Sequence, residues 1–204
     1  MIRLNDEFIP PAAGGEDAQA LAEKTEALKH GQPAQKEVAL EELVALGAEA
    51  IFTECLRFDD PLTVKLATAG LWECWLNERG DDARIAMEKG MALMTDGDLA
   101  AAEIIFQQLA RKYPDWAEAL NKHATILYLL GQPRRSLELC RQVVRLKPNH
   151  FGAWHGLALC ALQLEDWKTV LEAAQKALQI QPMASTHGEI VQLAKRNLGL
   201  SREE

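Results

Sequence analysis

The stretch AEALNKHATILYLLGQPRRSLELCRQVVRLKPNH, residues 117–150, decides the fold of this chain. Its Pro148 is one of three prolines, with Pro114 and Pro182, that follow one another at intervals of 34 residues. A sustained period of this length predicts repeated pairs of helices that bury their apolar faces by stacking on neighbouring pairs. Aligned on the prolines, the chain contains three copies: 83–116, 117–150 and 151–184.

Small residues recur at two positions of the period, twelve residues apart. They are Gly90, Ala124 and Ala158 at the first position, and Ala102, Ser136 and Val170 at the second. We expect the two helices of a pair to cross most closely there, because larger side chains would push the backbones apart. Val170 is the exception, and Ala161 and Ala174 of the same copy offer compensating space.

Each pair also needs a turn between its helices and a stop after the second helix. Gly97 and Gly131 suit the left-handed backbone that ends a first helix. In the third copy Glu165 stands where a glycine is expected, which predicts a weaker turn. Each proline falls just past the end of a second helix. There it prevents the helix from continuing, and its missing backbone N–H costs little stability.

The period, the small-residue pairs and the terminal prolines together resemble the tetratricopeptide repeat. The strings MEKGMALMTDGDLAAAEIIFQQLARKYPD (87–115) and FGAWHGLALCALQLEDWKTVLEAAQKALQIQP (151–182) carry the resemblance beside the stretch quoted above. The resemblance covers about half of the chain. Within this family, the chain is similar to a bacterial and organellar subgroup without an assigned activity. The resemblance implies an all-α fold, a right-handed superhelix of stacked helical hairpins.

The flanks do not follow the period. We expect a flexible tail at 1–16, a helical cap region at 17–82, and a C-terminal capping helix with a short tail at 185–204. Within the cap region we predict helices at 17–30, at 34–58 with a kink at Gly47, and from Pro61 to Asn77 with Asp60 as N-cap. Thr186 and Glu189 predict a capping box for the last helix.

Trp72 and Trp75 give the helix before the repeats a heavy apolar face. We expect this face to cover the open end of the first repeat, since a solenoid exposes an apolar flank at each end. An aromatic ligand site at the two tryptophans is the alternative.

The formal net charge is −8, and residues 1–80 carry 15 acidic and 7 basic residues. The rest of the chain is neutral, so the basic excess that a phosphate-binding surface needs is missing and nucleic acid is not an expected partner. Arg134, Arg141 and Arg145 share one face of a helix, which predicts either a solvated convex surface or a secondary contact for an acidic partner.

The four cysteines lie in apolar helical contexts and show no CxxC spacing. We expect them to be reduced core thiols in an intracellular compartment. Neither a secretory signal nor an apolar run long enough for a membrane span is visible. These features predict a soluble protein of the cytoplasm, or of an organelle if a targeting segment was removed.

A constellation for catalysis is not apparent in the sequence, so we predict a non-enzyme without a cofactor. His150, His155 and Cys160 have a spacing that can ligate metal, but their repeat-junction and mid-helix contexts favour structural roles, and we predict no metal site. His123, at a position that is usually leucine, is expected to be a packed and hydrogen-bonded histidine.

By resemblance, the first helix of each repeat lines a concave groove that holds a peptide or a partner helix. The residues at those positions are Met87, Met91, Met94, Glu118, Asn121, Lys122, Thr125, Tyr128, His155, Leu159 and Gln163. The methionines form one stripe that suits an adaptable apolar contact. The alternative is that they pack against the N-terminal helices as part of the core.

Relatives that bind chaperone EEVD tails clamp the carboxylates with lysines, asparagines and an arginine on their first helices. By resemblance, the matching positions here are Met87, Met91, Asn121 or Lys122, Gly152 and Gly156, so we do not expect such tails to bind. The sequence therefore predicts a non-catalytic adaptor that binds a protein or peptide. A structural subunit or assembly factor of a larger complex is the alternative.

Overall fold

The computed structural model describes residues 15–200 of the chain, and that part consists of eleven helices and no strand. The helices are α1 (Gly15–His30), α2 (Pro33–Ala45), α3 (Glu49–Cys55), α4 (Pro61–Asn77), α5 (Asp81–Thr95), α6 (Leu99–Lys112), α7 (Ala117–Leu129), α8 (Pro133–Leu146), α9 (Phe151–Gln163), α10 (Trp167–Ile180) and α11 (Ser185–Asn197). The predicted fold class is confirmed: an all-α, right-handed superhelix of stacked hairpins with extra helices at both ends.

The hairpins α5/α6, α7/α8 and α9/α10 stack in chain order, and α11 packs on α10. The turns between paired helices have positive φ at Gly97, Gly131 and Glu165, and the same conformation returns at Gly199. These positions are 34 residues apart, so α11 lies in the phase of the first helix of a fourth repeat. Its buried Ile190, Val191 and Ala194 belong to the same apolar cluster as Leu157 of α9 and Val170 of α10.

The small residues of the period lie where the helices of a hairpin cross. A Cβ added at Gly90 would come within 2.6 Å of the Phe106 ring. In the next repeat the Ser136 hydroxyl donates to the backbone carbonyl of Ala124 at 2.6 Å. Val170 is fully buried and shares its cluster with small alanines, in line with the expected volume compensation.

The N-terminal helices differ from the prediction in one respect. Instead of one kinked helix over 34–58, α2 ends at Ala45 and α3 begins at Glu49. Gly47 between them has φ +63, a left-handed conformation that ends a helix instead of bending it. The Asp60 cap is confirmed, because its carboxylate accepts from the backbone N–H groups of Leu62 and Thr63 at 3.4 and 3.2 Å.

The chain ends follow the prediction only in part. The predicted tail, 1–16, lies outside the described residues except for its last two, which begin α1. Residues 201–204 lie outside them as well. The capping box at Thr186 and Glu189 is wrong: the N-cap of α11 is Ala184, two residues before Thr186, and it makes no side-chain cap bond.

Helix α4 runs along the edge of the array where one repeat joins the next. The Trp116 indole N–H donates to the Trp75 carbonyl at 2.7 Å, at the start of α7. Further along, Trp72 packs edge-on against Phe151 at the start of α9. The side-chain amide of Gln181, which follows α10, donates to the Thr68 hydroxyl at 3.4 Å. The tryptophans thus cover the junctions between repeats, while Ile85 and Ile104 of the first hairpin stay exposed.

Candidate partner-binding groove

A small cavity of about 120 Å³ lies between the first helices of the second and third repeats. It is lined by five of the predicted groove residues together with the glycines of α9 and two residues of α8. The predicted residues are Asn121, Thr125, Tyr128, His155 and Leu159, and the others are Ser136, Cys140, Gly152 and Gly156. Gln163 is exposed at the C-terminal end of α9. The structure therefore brings the residues of α7 and α9 together around one opening.

The methionine stripe of α5 does not line this cavity. Met87 is fully buried in a cluster with Leu76, Phe106 and Trp116. Met91 and Met94 are partly buried against the same cluster. The stripe therefore packs largely within the core of the first hairpin and α4, which is the alternative that its spacing left open.

Glu118 is fully buried and makes three polar contacts. Its Oε2 accepts from Asn121 Nδ2 at 3.1 Å and lies 3.0 Å from His150 Nε2. Its Oε1 forms an ion pair with Lys122 Nζ at 3.0 Å. Burial by itself would raise the pKa of Glu118, but His150 and Lys122 outweigh it and hold that pKa below its ordinary value. Glu118 is therefore a buried anion that offers no surface to a partner.

The tautomer of His150 follows from its two hydrogen bonds. Its Nδ1 accepts from the backbone N–H of Ala153 at 3.1 Å, so the proton is on Nε2 and is donated to Glu118. The same ring stacks on Trp75, with centroids 4.1 Å and planes 18° apart. Lys122 lies over the Trp72 ring, 4.9 Å from its centroid. His150 and Lys122, both held by Glu118, thus join the N-terminal helices to the repeats.

The N-terminal end of the groove is covered by α4. A Cβ at Gly152 would lie 2.7 Å from Cη2 of Trp72, so only glycine permits this contact. One turn later, a Cβ at Gly156 would lie 3.2 Å from the Cys140 sulfur. The groove is therefore floored by glycine backbone and closed by Trp72 at one end, and it stays accessible toward Tyr128 and Gln163.

The histidines and cysteines of the candidate metal set do not converge. His150 faces Glu118, whereas the Cys160 thiol donates to the Ser136 hydroxyl at 3.1 Å. His123 is buried as predicted, but its Nε2 has no hydrogen-bond partner within residues 15–200. In the same range no three His, Cys, Asp or Glu side chains are grouped as a metal site would require.

All four cysteines are unpaired and buried, which agrees with their predicted place in the core. Among the described helices, none combines the length and the apolar character that a membrane crossing requires.

Stacked hairpins of constant period with a groove along their first helices define a helical-repeat protein of the solenoid class. Two family models match: "Tetratricopeptide repeat" over residues 76–115, and "Anaphase-promoting complex, cyclosome, subunit 3" over residues 96–177. A TPR repeat-containing protein of Rhizobium etli is 31% identical over 103 residues, half of each chain. The present chain thus spans about half the length of that curated relative.

Solved structures show the same fold at low identity. The Sgt2 TPR domain from Aspergillus fumigatus has a TM-score of 0.53 at 20% identity, over 56% of this chain and 77% of that one. The first TPR of Spaghetti (RPAP3), bound to the HSP90 peptide SRMEEVD, has a TM-score of 0.55 at 14% identity, over 56% of this chain and 91% of that one. MamA from Desulfovibrio magneticus RS-1 has a TM-score of 0.53 at 22% identity, over 77% of this chain and 86% of that one.

The family models and the relative support the predicted resemblance to tetratricopeptide-repeat proteins. Its fold supports a role as a scaffold for protein–protein interaction. Sequence reasoning missed the link between Glu118, His150 and Trp75, because Trp75 lies outside the repeats and its stacking on His150 depends on how α4 packs against them. The sequence signal for it was the i,i+4 spacing of Glu118 and Lys122, which predicts an ion pair on one helix face.

Proposed function

We propose that the chain binds a peptide or a partner helix in the groove between α7 and α9, by burial of complementary surface and without catalysis. The observation that carries this proposal is the cavity where Asn121, Thr125, Tyr128, His155 and Leu159 meet. Pockets that combine apolar walls with a few polar groups are typical of binding sites. A volume of about 120 Å³ suits one anchoring side chain of the partner.

The chemistry of the walls favours an apolar anchor. Leu159, the Tyr128 ring and the Cys140 thiol supply apolar surface, and the glycine floor lets a ligand approach the α9 backbone closely. Asn121 and Thr125 are already engaged, since Asn121 donates to Glu118 and Thr125 to the Asn121 carbonyl. Their remaining acceptor sites suit N–H donors of a bound backbone.

Chaperone EEVD tails are not expected ligands, although one structural neighbour is named as bound to such a peptide. Of the positions that match a carboxylate clamp, Met87 is buried, and Gly152 and Gly156 have no side chain. Lys122 is engaged by Glu118 and lies over Trp72. None of these matching positions therefore presents a free cation to a carboxylate. Nucleic acid is equally unsuited to it, because phosphates need a basic surface.

A structural subunit or assembly factor of a larger complex is the second candidate. One matching family is named for a subunit of the anaphase-promoting complex. The first hairpin leaves Ile85 and Ile104 more than half exposed, at 63% and 58%. Surfaces of this kind are found where proteins pack permanently.

The two candidates differ in where the partner binds and in how firmly it stays. We would capture partners from a native extract with the wild-type chain and with Tyr128→Ala, His155→Ala and Asn121→Ala, using Gln142→Ala on the exposed face of α8 as the control. Groove binding predicts that the groove variants lose the partner and the control keeps it. Retention of the partner by all three groove variants would refute the groove assignment.

Light scattering after size exclusion would then distinguish the modes of association. A monomer that binds its partner transiently supports the adaptor. A complex that co-purifies in fixed stoichiometry, and that Ile85→Ser or Ile104→Ser disrupts, supports the subunit.

A further inference from the structure

Two histidines from different helices lie side by side at the junction of the groove and α11. The rings of His155 on α9 and His187 on α11 have centroids 5.2 Å apart and are tilted by 56°. Both Nδ1 atoms are buried and have no hydrogen-bond partner within residues 15–200. Buried polar atoms without a partner are uncommon and costly, so two adjacent rings that each carry one call for a ligand that satisfies both.

The separation of the rings suits one metal ion held between them. An imidazole nitrogen binds Zn²⁺ at about 2.0–2.1 Å, which places the ring centroid roughly 3.2 Å from the ion. Two such rings at a tetrahedral angle have centroids roughly 5 Å apart. The observed 5.2 Å agrees with that value.

We propose that His155 and His187 together bind a late first-row divalent cation, Cu²⁺, Ni²⁺ or Zn²⁺, which joins α9 to α11. This site departs from the prediction that the chain has no metal site. The two residues are 32 positions apart and on different helices, so no local spacing could reveal them.

The surroundings of the site set its properties. Burial lowers the pKa of His155, and burial together with the neighbouring His155 lowers that of His187, which favours the neutral imidazole that ligates metal. His155 also lines the groove cavity, so one of the two ligands borders that opening. No third His, Cys, Asp or Glu in the described part of the chain completes the site. Water or a donor from a groove ligand therefore fills the other positions.

A two-imidazole site without a carboxylate leaves the charge of the ion uncompensated, so we expect moderate affinity, on the order of micromolar to tens of micromolar. The order of affinity should be Cu²⁺ above Ni²⁺ and Zn²⁺, which is the order for nitrogen ligands in general.

The test is titration of the full chain with each metal salt alone, followed by calorimetry and by thermal unfolding. We expect His155→Asn and His187→Asn each to weaken binding by about tenfold or more, and the double variant to abolish it. His30→Asn and His123→Asn are matched controls, because His30 is exposed and His123 is buried without a neighbouring imidazole. Both controls should bind like the wild type.

A measurement on the unaltered chain keeps the proposal testable if a variant fails to fold. Substoichiometric Cu²⁺ should broaden the ring-proton NMR signals of two of the five histidines first. Absence of binding up to about 1 mM metal, equal broadening of all five histidines, or unchanged affinity in His187→Asn would overturn the proposal.

Discussion

The imidazole of His150 stacks on the indole of Trp75, with 4.1 Å between ring centroids, and holds the N-terminal helices against the joint between the second and third repeats. The same imidazole also donates a hydrogen bond to the buried carboxylate of Glu118. One residue thereby connects the helix before the array, the first helix of one repeat and the start of the next.

Glu118→Ala should destabilise the fold strongly, because it leaves His150, Asn121 and Lys122 without their shared partner. Removal of one member of a buried charged network typically lowers the free energy of unfolding by about 3–5 kcal/mol. Urea denaturation followed by circular dichroism measures it. Glu88→Ala is the matched control: Glu88 pairs with Arg84 at 2.8 Å on the surface, and such a pair contributes about 1 kcal/mol or less. Equal losses in the two variants would show that Glu118 is not a structural anion.

Gly152→Ala tests the docking of α4. The added methyl group would lie 2.7 Å from Trp72, so the indole must move, and overpacking of this kind lowers the free energy of unfolding by about 1–3 kcal/mol. The fluorescence of Trp72 should shift to longer wavelength as the ring becomes more exposed. Gly188→Ala is the control within α11, where a Cβ meets nothing within 4 Å. That variant should gain up to about 1 kcal/mol from helix propensity. Docking of α4 is refuted if Gly152→Ala is as stable as the wild type.

Glu165→Gly should stabilise the third repeat. Glu165 has φ +57, a left-handed conformation that disfavours side chains by roughly 1–2 kcal/mol. Part of that gain is lost to the greater freedom of glycine in the unfolded chain, so we expect about 0.5–1 kcal/mol, seen as a higher Tm. Gly131→Ala, at the equivalent turn with φ +73, should lower the Tm. Changes in the opposite directions would contradict the assignment of these turns.

Stability should fall as the pH is lowered from 7 to 5. Burial is the main cause that lowers the pKa of His123, His155 and His187 from the ordinary value of 6.5. The unfolded chain therefore binds more protons than the folded chain once the pH falls below 6.5, and the free energy of unfolding decreases. Denaturation with EDTA present, which removes any metal, measures the effect. The triple variant of these histidines to Asn should lose most of this slope, and an unchanged slope would assign it to other groups.

The repeat could be predicted from sequence because its constraints are local and periodic. Pro148, the small residue Ala124 and the turn glycine Gly131 each mark one feature of a hairpin, and their return after 34 residues fixes the stacking. The place of α4 could not be predicted from sequence, because the contact of Trp72 with Gly152 joins segments 80 residues apart. The groove was predicted only as a set of positions. Which of them are buried, as Met87 and Glu118 are, depends on how α4 and its neighbours pack.

The central claim, that a partner occupies the groove between α7 and α9, is tested most directly by site-specific photo-crosslinking in a native extract. A photoreactive residue would replace Thr125 or Gln163 in the groove, and Gln142 on the exposed face of α8 as the control. The account predicts that both groove positions crosslink to the same partner and that Gln142 does not. Crosslinks from Gln142 alone, with none from either groove position, would contradict it.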